Sequence, residues 1–278
     1  NNSSASQTAA IAVGLNSNAN AVNAISVGGN SDATGEASVA IGGDGGDGDT
    51  QGALASGNNS VALGADSAAN GEDATAVGAG AKAAAFGTAF GRGAISSASE
   101  ALAIGQSADA TATAAVAVGT DAQATGVGAV SLGRQANASA GNAMALGRAS
   151  IANQNGAVAL GGFANAAGVN SLSLGSQSDA TRDGSIAIGG DRADPDTNGA
   201  QATGIGAIAI GADSAASRTR SVALGDSSVA SGVDSTAVGS LSSASGTNGL
   251  ALGYTSNASA TDSVAIGTRS AASSTDAI

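Results

Sequence analysis

Three observations predict an all-β chain wound as a parallel solenoid of 14-residue coils. First, a glycine closes an apolar tetrapeptide eighteen times, at Gly14, Gly28, Gly42, Gly64, Gly78, Gly91, Gly105 and onward to Gly267. The spacing is 14 residues except for 22 twice (42 to 64 and 189 to 211) and 13 once (78 to 91). Second, the residues before each glycine alternate in character with period two, which is the signature of a strand. Third, no segment carries a helical period, and the links are too short for the crossovers of an α/β protein, so stacked coils remain.

Within one coil the first element is a strand that ends at the closing glycine. The residue before that glycine is aliphatic in every copy but Phe90, and the residue three before it is aliphatic, Thr or Met, from Ile11 to Val264. Between them stands only Ala or Ser. Large apolar side chains belong inside, so this alternation predicts an aliphatic interior and an outward Ala/Ser stripe. A solvent-facing position tolerates charge, and a stripe that never carries one predicts close packing against another surface.

After the closing glycine comes a turn and then a second, shorter strand. Small residues recur three and five positions on, as at Ser67 and Ala69 or Ser214 and Ala216, and predict its inward side. The residue between them varies and is often polar, as at Asn18, Asp32, Lys82, Asp109 and Gln123, which predicts a solvated face. A further glycine often follows seven positions after the first, at Gly35, Gly71, Gly126, Gly168, Gly232 and Gly246, and predicts a second turn with positive φ. Parallel stacking then sets a step of about 4.8 Å per coil.

Such a coil is thin. Two aliphatic side chains contribute about 1.5 to 3 kcal/mol each, whereas ordering the backbone costs on the order of 1 to 2 kcal/mol for each residue. Hydrogen bonds between coils narrow the difference, and the balance predicts an obligate homo-oligomer joined through the Ala/Ser stripe.

Composition excludes much chemistry. Of 278 residues 44 are Gly, 11% are charged and 1% aromatic, with one Pro and no His, Cys or Trp. Without thiolate or imidazole there is no Cys nucleophile, no His base and no ordinary zinc or haem ligand set. No cofactor is expected. The net charge of −12 and the scatter of nine basic residues from Lys82 to Arg269 speak against nucleic acid. No Gly-Lys-Ser/Thr phosphate loop occurs, and no pattern sets two carboxylates in a cleft. The first ten residues lack the charged and apolar regions of a secretion signal, and no run of about 18 apolar residues exists.

Units such as Asn59-Ser60-Val61-Ala62-Leu63-Gly64, Ala37-Ser38-Val39-Ala40-Ile41-Gly42 and Asp262-Ser263-Val264-Ala265-Ile266-Gly267 resemble the NSVAIG repeats of YadA-type heads in trimeric autotransporter adhesins. The resemblance spans about residues 9 to 272. It implies a left-handed parallel β-roll in each chain and three chains side by side, on the surface of a Gram-negative bacterium. It implies residues 1–278 as a single head, excised from a protein whose coiled-coil stalk and outer-membrane anchor lie elsewhere. The function it implies is virulence-associated attachment to collagen, fibronectin, laminin or host cells, with autoaggregation, and no enzymatic activity. Asn59, Ser60, Val61, Ala62, Leu63 and Gly64 match the family's ligand-binding motif. Two other solenoid classes fit less well. Hexapeptide-repeat acyltransferases have 18-residue coils and usually a catalytic His, and an ice-binding solenoid needs a regular Thr or Ala lattice.

The irregular coils carry the remaining candidates. Both 22-residue units hold an acidic insertion, placed at about 43–57 and 190–204. Asp44, Asp47 and Asp49 in the first match Asp191, Asp194 and Asp196 in the second. A D-x-x-D-x-D spacing with backbone carbonyls suits Ca²⁺, but a solvated acidic loop accounts for the pattern equally, so no metal is assigned. The 13-residue unit holds Phe86 and Phe90, whose rings are expected to fill the gap left by the missing residue. Phe163 and Tyr254 fall in turns as isolated surface aromatics.

Overall fold

A computed structural model describes residues 2–46, 50–192 and 198–278. These form two compact units, residues 1–136 and 137–278. Each coil carries a three-residue strand before its closing glycine and a two-residue strand after it, called long and short below. The first unit holds nine of each, from Ser4–Ala5 to Val130–Leu132; the second holds nine long and ten short, from Asn137–Ala138 to Ala271–Ala272. No described residue is helical.

All pairing within the units is parallel, and each strand lies beside its counterpart in the next coil. Val61–Leu63 pairs with Thr75–Val77, and Leu54–Ala55 with Ala68–Ala69. Stacking continues through the turns: Gly28 N–H donates to the Val13 carbonyl at 2.8 Å, and Asn59 N–H to that of Glu36 at 2.8 Å. The backbone is thereby satisfied along the coil without a helix or a crossover.

The interior reverses the expected alternation. Four small residues per coil point inward: those four and two before the closing glycine, and those three and five after it. In one coil these are Ser60, Ala62, Ser67 and Ala69, all at 0% exposure. The core therefore consists of Ala and Ser, and the aliphatic side chains stand outside it. Leu63 is 43% exposed and Ile41 38%. Period-two alternation fixes which residues share a face and leaves open which face is inside. Both strands have a uniformly small side, and a coil with turns of four and five residues holds the two sheets too close for anything larger than a methyl or hydroxymethyl group between them. The Ala/Ser stripe is thus core, and a stripe of aliphatics takes its place on the surface.

The inward serines are not orphaned. Ser60 Oγ donates to the Gly57 carbonyl at 2.7 Å and Ser67 Oγ to that of Gly64 at 2.8 Å. Ser26, Ser131 and Ser173, in mid-strand, reach carbonyls five residues ahead at 2.7 to 2.8 Å. Each fills the same space as Ala and adds a bond to a turn carbonyl, worth about 1 kcal/mol.

The glycines divide into two kinds. The closing glycines have φ near +135°, as at Gly64 (+134°), which disfavours a Cβ. The glycines seven positions after a closing glycine, including Gly35, Gly71, Gly168, Gly232 and Gly246, do not have positive φ. Their constraint is close approach: in the backbone that these coils adopt, a Cβ on Gly57 would fall onto the carbonyl of Gly71 in the next coil. The left-handed residue of that turn lies two positions further on and is commonly Asn or Asp, as at Asn59 (+56°) and Asp73 (+53°), or itself a glycine, as at Gly128 (+64°) and Gly156 (+65°). Gly57→Ala is therefore expected to destabilise the fold by ~2 kcal/mol or more by forcing stacked backbones apart. Gly162→Ala, which meets nothing within 4 Å and has no positive φ, should leave the melting temperature nearly unchanged.

In the 13-residue coil the deletion falls in the second turn, between Lys82–Ala83 and Thr88–Phe90, so both strands keep their register. Phe86 and Phe90 do not fill a gap: they are 52% and 55% exposed. The shortened turn is accommodated by Gly87, whose missing Cβ would contact Ser96 Oγ.

Candidate functional site

In each unit the outward side of the long strands forms a ladder of apolar pairs. Val61 and Leu63 stack between Val39 and Ile41 on one side and Thr75 and Val77 on the other. In the second unit Met144 and Leu146, Val158 and Leu160, Leu172 and Leu174, and Ile186 and Ile188 follow in sequence. A row of partly exposed Val, Ile and Leu at nearly every coil is far more apolar surface than isolated surface residues would leave. No charged side chain interrupts any long strand.

The outward side of the short strands differs. Asn18 Nδ2 donates to Asp32 Oδ1 at 2.7 Å, and Asn165 Nδ2 to Asp179 Oδ1 at 3.0 Å, so polar side chains bridge successive coils. Asp109 sits between Ile95 and Gln123, and its Oδ1 is buried without a hydrogen bond. Burial pushes its carboxyl above the usual range. A raised carboxyl pKa means that the ionised form is disfavoured in the folded state, so stability is lost as pH rises through the folded value. Asp109→Asn should accordingly raise the melting temperature slightly at pH 7, and the difference from the parent should vanish in acid.

Most of the other charged side chains lie in the turns. Arg220 forks onto Asp234 one coil on, with Nη2 at 2.7 Å from Oδ2. The ion pair holds the Asp234 carboxyl below its usual range and raises the guanidinium; as an exposed pair it adds little to stability. Arg148 lies over the Phe163 ring, 4.3 Å from its centroid.

Both insertions leave just after a closing glycine and return to the roll at Gly52 and Gly199, whose N–H groups bond Asn30 and Gln177. Asp66 Oδ1 accepts the Gly45 N–H at 2.9 Å. In the second copy Arg192 occupies the place of Gly45 and bonds Asp226 at 2.7 Å, with Asp213 at 3.8 Å. Of the suggested cation ligands, Asp44 accepts the Gly46 N–H at 2.8 Å, and Asp47, Asp49, Asp194 and Asp196 lie outside the described residues. Among the described residues no group of three or more acidic side chains is placed to hold a metal. Beside the first insertion is an open notch of about 390 Å³, lined by Gln51, Leu54, Asp66, Asn70 and Lys82 among others; beside the second is one of about 170 Å³ that includes Asn198, Gln201 and Asp213.

The six residues of the sequence motif do not form one surface. Ser60 and Ala62 are enclosed in the roll, Asn59 and Gly64 shape the turns, and Val61 and Leu63 point outward into the apolar ladder. Val61 and Leu63 are therefore face residues and not, as their size suggests, core residues.

A thin parallel roll with an all-small interior and one apolar outer face belongs to the class of repetitive scaffold proteins, which act through extended surfaces. A family model described as the YadA head domain repeat matches residues 19–44, 55–81, 110–136, 124–148, 138–164, 166–191, 202–228, 216–242, 230–256 and 244–270. These cover well over half of the chain, which belongs to that family: it is a YadA-like head domain of a trimeric autotransporter adhesin. No curated protein matches it significantly.

Proposed function

We propose that the chain is the ligand-presenting head of a cell-surface adhesin, anchored in the outer membrane of a Gram-negative bacterium, and that it works as a parallel homotrimer of left-handed rolls. The observation that carries this reading is the apolar ladder. An interior of Ala and Ser buries little surface per residue, whereas the outward residues of the long strands, two per coil and mostly aliphatic, stand partly exposed. Covering them supplies the hydrophobic stabilisation that the interior lacks. A second roll of the same kind is the natural cover, because only it repeats apolar pairs at the same coil step. The short-strand faces and turns, with their Asn, Asp, Arg and isolated aromatic side chains, then remain for collagen, fibronectin, laminin or a host cell surface. Many weak contacts in series would add up to useful affinity, and the same surfaces would serve autoaggregation. Family membership favours this role over acyl transfer or ice binding.

Light scattering on the 278-residue chain should return three times its 25.3 kDa mass, and a monomer would remove the assembly from the reading. Binding of the purified trimer to immobilised collagen, fibronectin and laminin tests the adhesive half. A trimer that binds none of them, nor host cells, would leave the adhesive role without support.

A further inference from the structure

A ladder of Val, Ile and Leu repeated at nearly every coil has a weakness as an association surface: slid by one coil, about 4.8 Å, most aliphatic side chains meet another much like them. Copies that associate through such a face need a mark that distinguishes one coil from the rest. The long strand Thr88–Phe90 supplies one. Phe90 is the one aromatic among the described long-strand residues, and it projects from the ladder at 55% exposure. The other outward residue of its strand is Thr88, one of the smallest on the face, and Thr88 is stacked on Thr75. On the other side lie Leu102 and Ile104, both large. The deletion of the 13-residue coil lies in the turn that leads into this strand, and the strand still keeps its register with both neighbours.

We propose that Phe90 and Thr88 set the axial register of self-association, with the Phe90 ring of one copy seated over Thr88 of a second copy at the same level. Large against small keeps the volume of that layer close to that of a Val/Ile layer. A slip of one coil drives the ring against Leu102 of a neighbour, where there is no space for it, and leaves Thr88 opposite a side chain too short to fill its place. The inference rests on the self-association reading above, and its occupant is a second copy of this chain.

The chain has no cysteine, so a single Ser107→Cys substitution in an exposed turn allows one spin label per copy. Distances between labels in the parent assembly should form one narrow population. Phe90→Val should add populations displaced by multiples of the coil step. Exchanging the pair, Thr88→Phe with Phe90→Thr, should restore a single register, because the large and small groups still face each other. A single narrow population in Phe90→Val would overturn the proposal. So would a broad distribution in the exchanged pair, including the case in which Phe90→Val alone fails to assemble. A monomeric parent would instead count against self-association itself, and light scattering separates that outcome from the others.

Discussion

Ala62→Leu is expected to abolish the fold. Ala62 is at 0% exposure in the middle of a long strand, with Ala40 and Ala76 beside it in the neighbouring coils and the inward side of the short strands across the interior. Three added carbon atoms have no cavity to enter. The flanking backbone cannot withdraw, because the Val61 N–H bonds Ala74 at 2.9 Å and the Gly64 N–H bonds Ile41 at 2.8 Å. Overpacking in ordinary cores costs about 1 to 3 kcal/mol and occasionally more; here relaxation means breaking ladder bonds on both sides, so the upper end or beyond applies. Ala62→Ser is the informative control. Ser26, Ser131 and Ser173 already occupy the corresponding place in other coils and bond the carbonyl five residues ahead, which for position 62 is that of Ser67. Circular dichroism and thermal melting should show Ala62→Ser folded within about 1 kcal/mol of the parent and Ala62→Leu unfolded or aggregated. A cooperative, near-parental melt for Ala62→Leu would mean that the interior is wider than the Ala/Ser packing implies.

That contrast also marks what the amino-acid pattern made legible. The recurrence of Gly14, Gly28, Gly42 and their successors gives the coil length, and alternation in segments such as Val61-Ala62-Leu63 gives the strands. The phase of the alternation is a different matter. The general preference for large apolar residues inside assigns Val61 and Leu63 to the core, yet the small residues on both strands, Ser60, Ala62, Ser67 and Ala69, are the set that fits between two closely joined sheets. Uniform smallness on both strands was the available signal: Ala and Ser are required where space is limiting, and Val, Ile and Leu vary freely where it is not. The demand for a partner survives the reversal and moves from the Ala/Ser stripe to the aliphatic one. The requirement at Gly57 and Gly71 arises from contact between successive coils, and the buried oxygen of Asp109 from its neighbours Ile95 and Gln123; both depend on three-dimensional stacking that a linear motif does not encode. The six-residue motif Asn59 to Gly64 describes how a coil is built, since four of its residues are turn or interior, and locates no ligand by itself.

Leu160→Asp is the second large effect, and it falls on association. Leu160 is 43% exposed in the isolated chain and is stacked between Leu146 and Leu174, so a carboxylate there would be partly hydrated and should cost the single roll little. In an assembly covered along this face the same carboxylate is buried without a partner, once per copy and at the same level, which costs several kcal/mol per charge and adds mutual repulsion. The expected result is a fall in solution mass from three chains to one, with a lower melting temperature that reflects lost association. Val229→Asp separates the face from the chemistry. Val229 is 39% exposed and lies on a short strand between Ala215 and Ser243, so the same substitution at nearly the same exposure should leave the mass unchanged. Equal loss of assembly in both variants would mean that the short-strand side is also covered. An unchanged mass for Leu160→Asp with dissociation of Val229→Asp would place the contact on the short-strand side and leave the aliphatic ladder to solvent, an arrangement that the Ala/Ser interior is too weak to sustain alone.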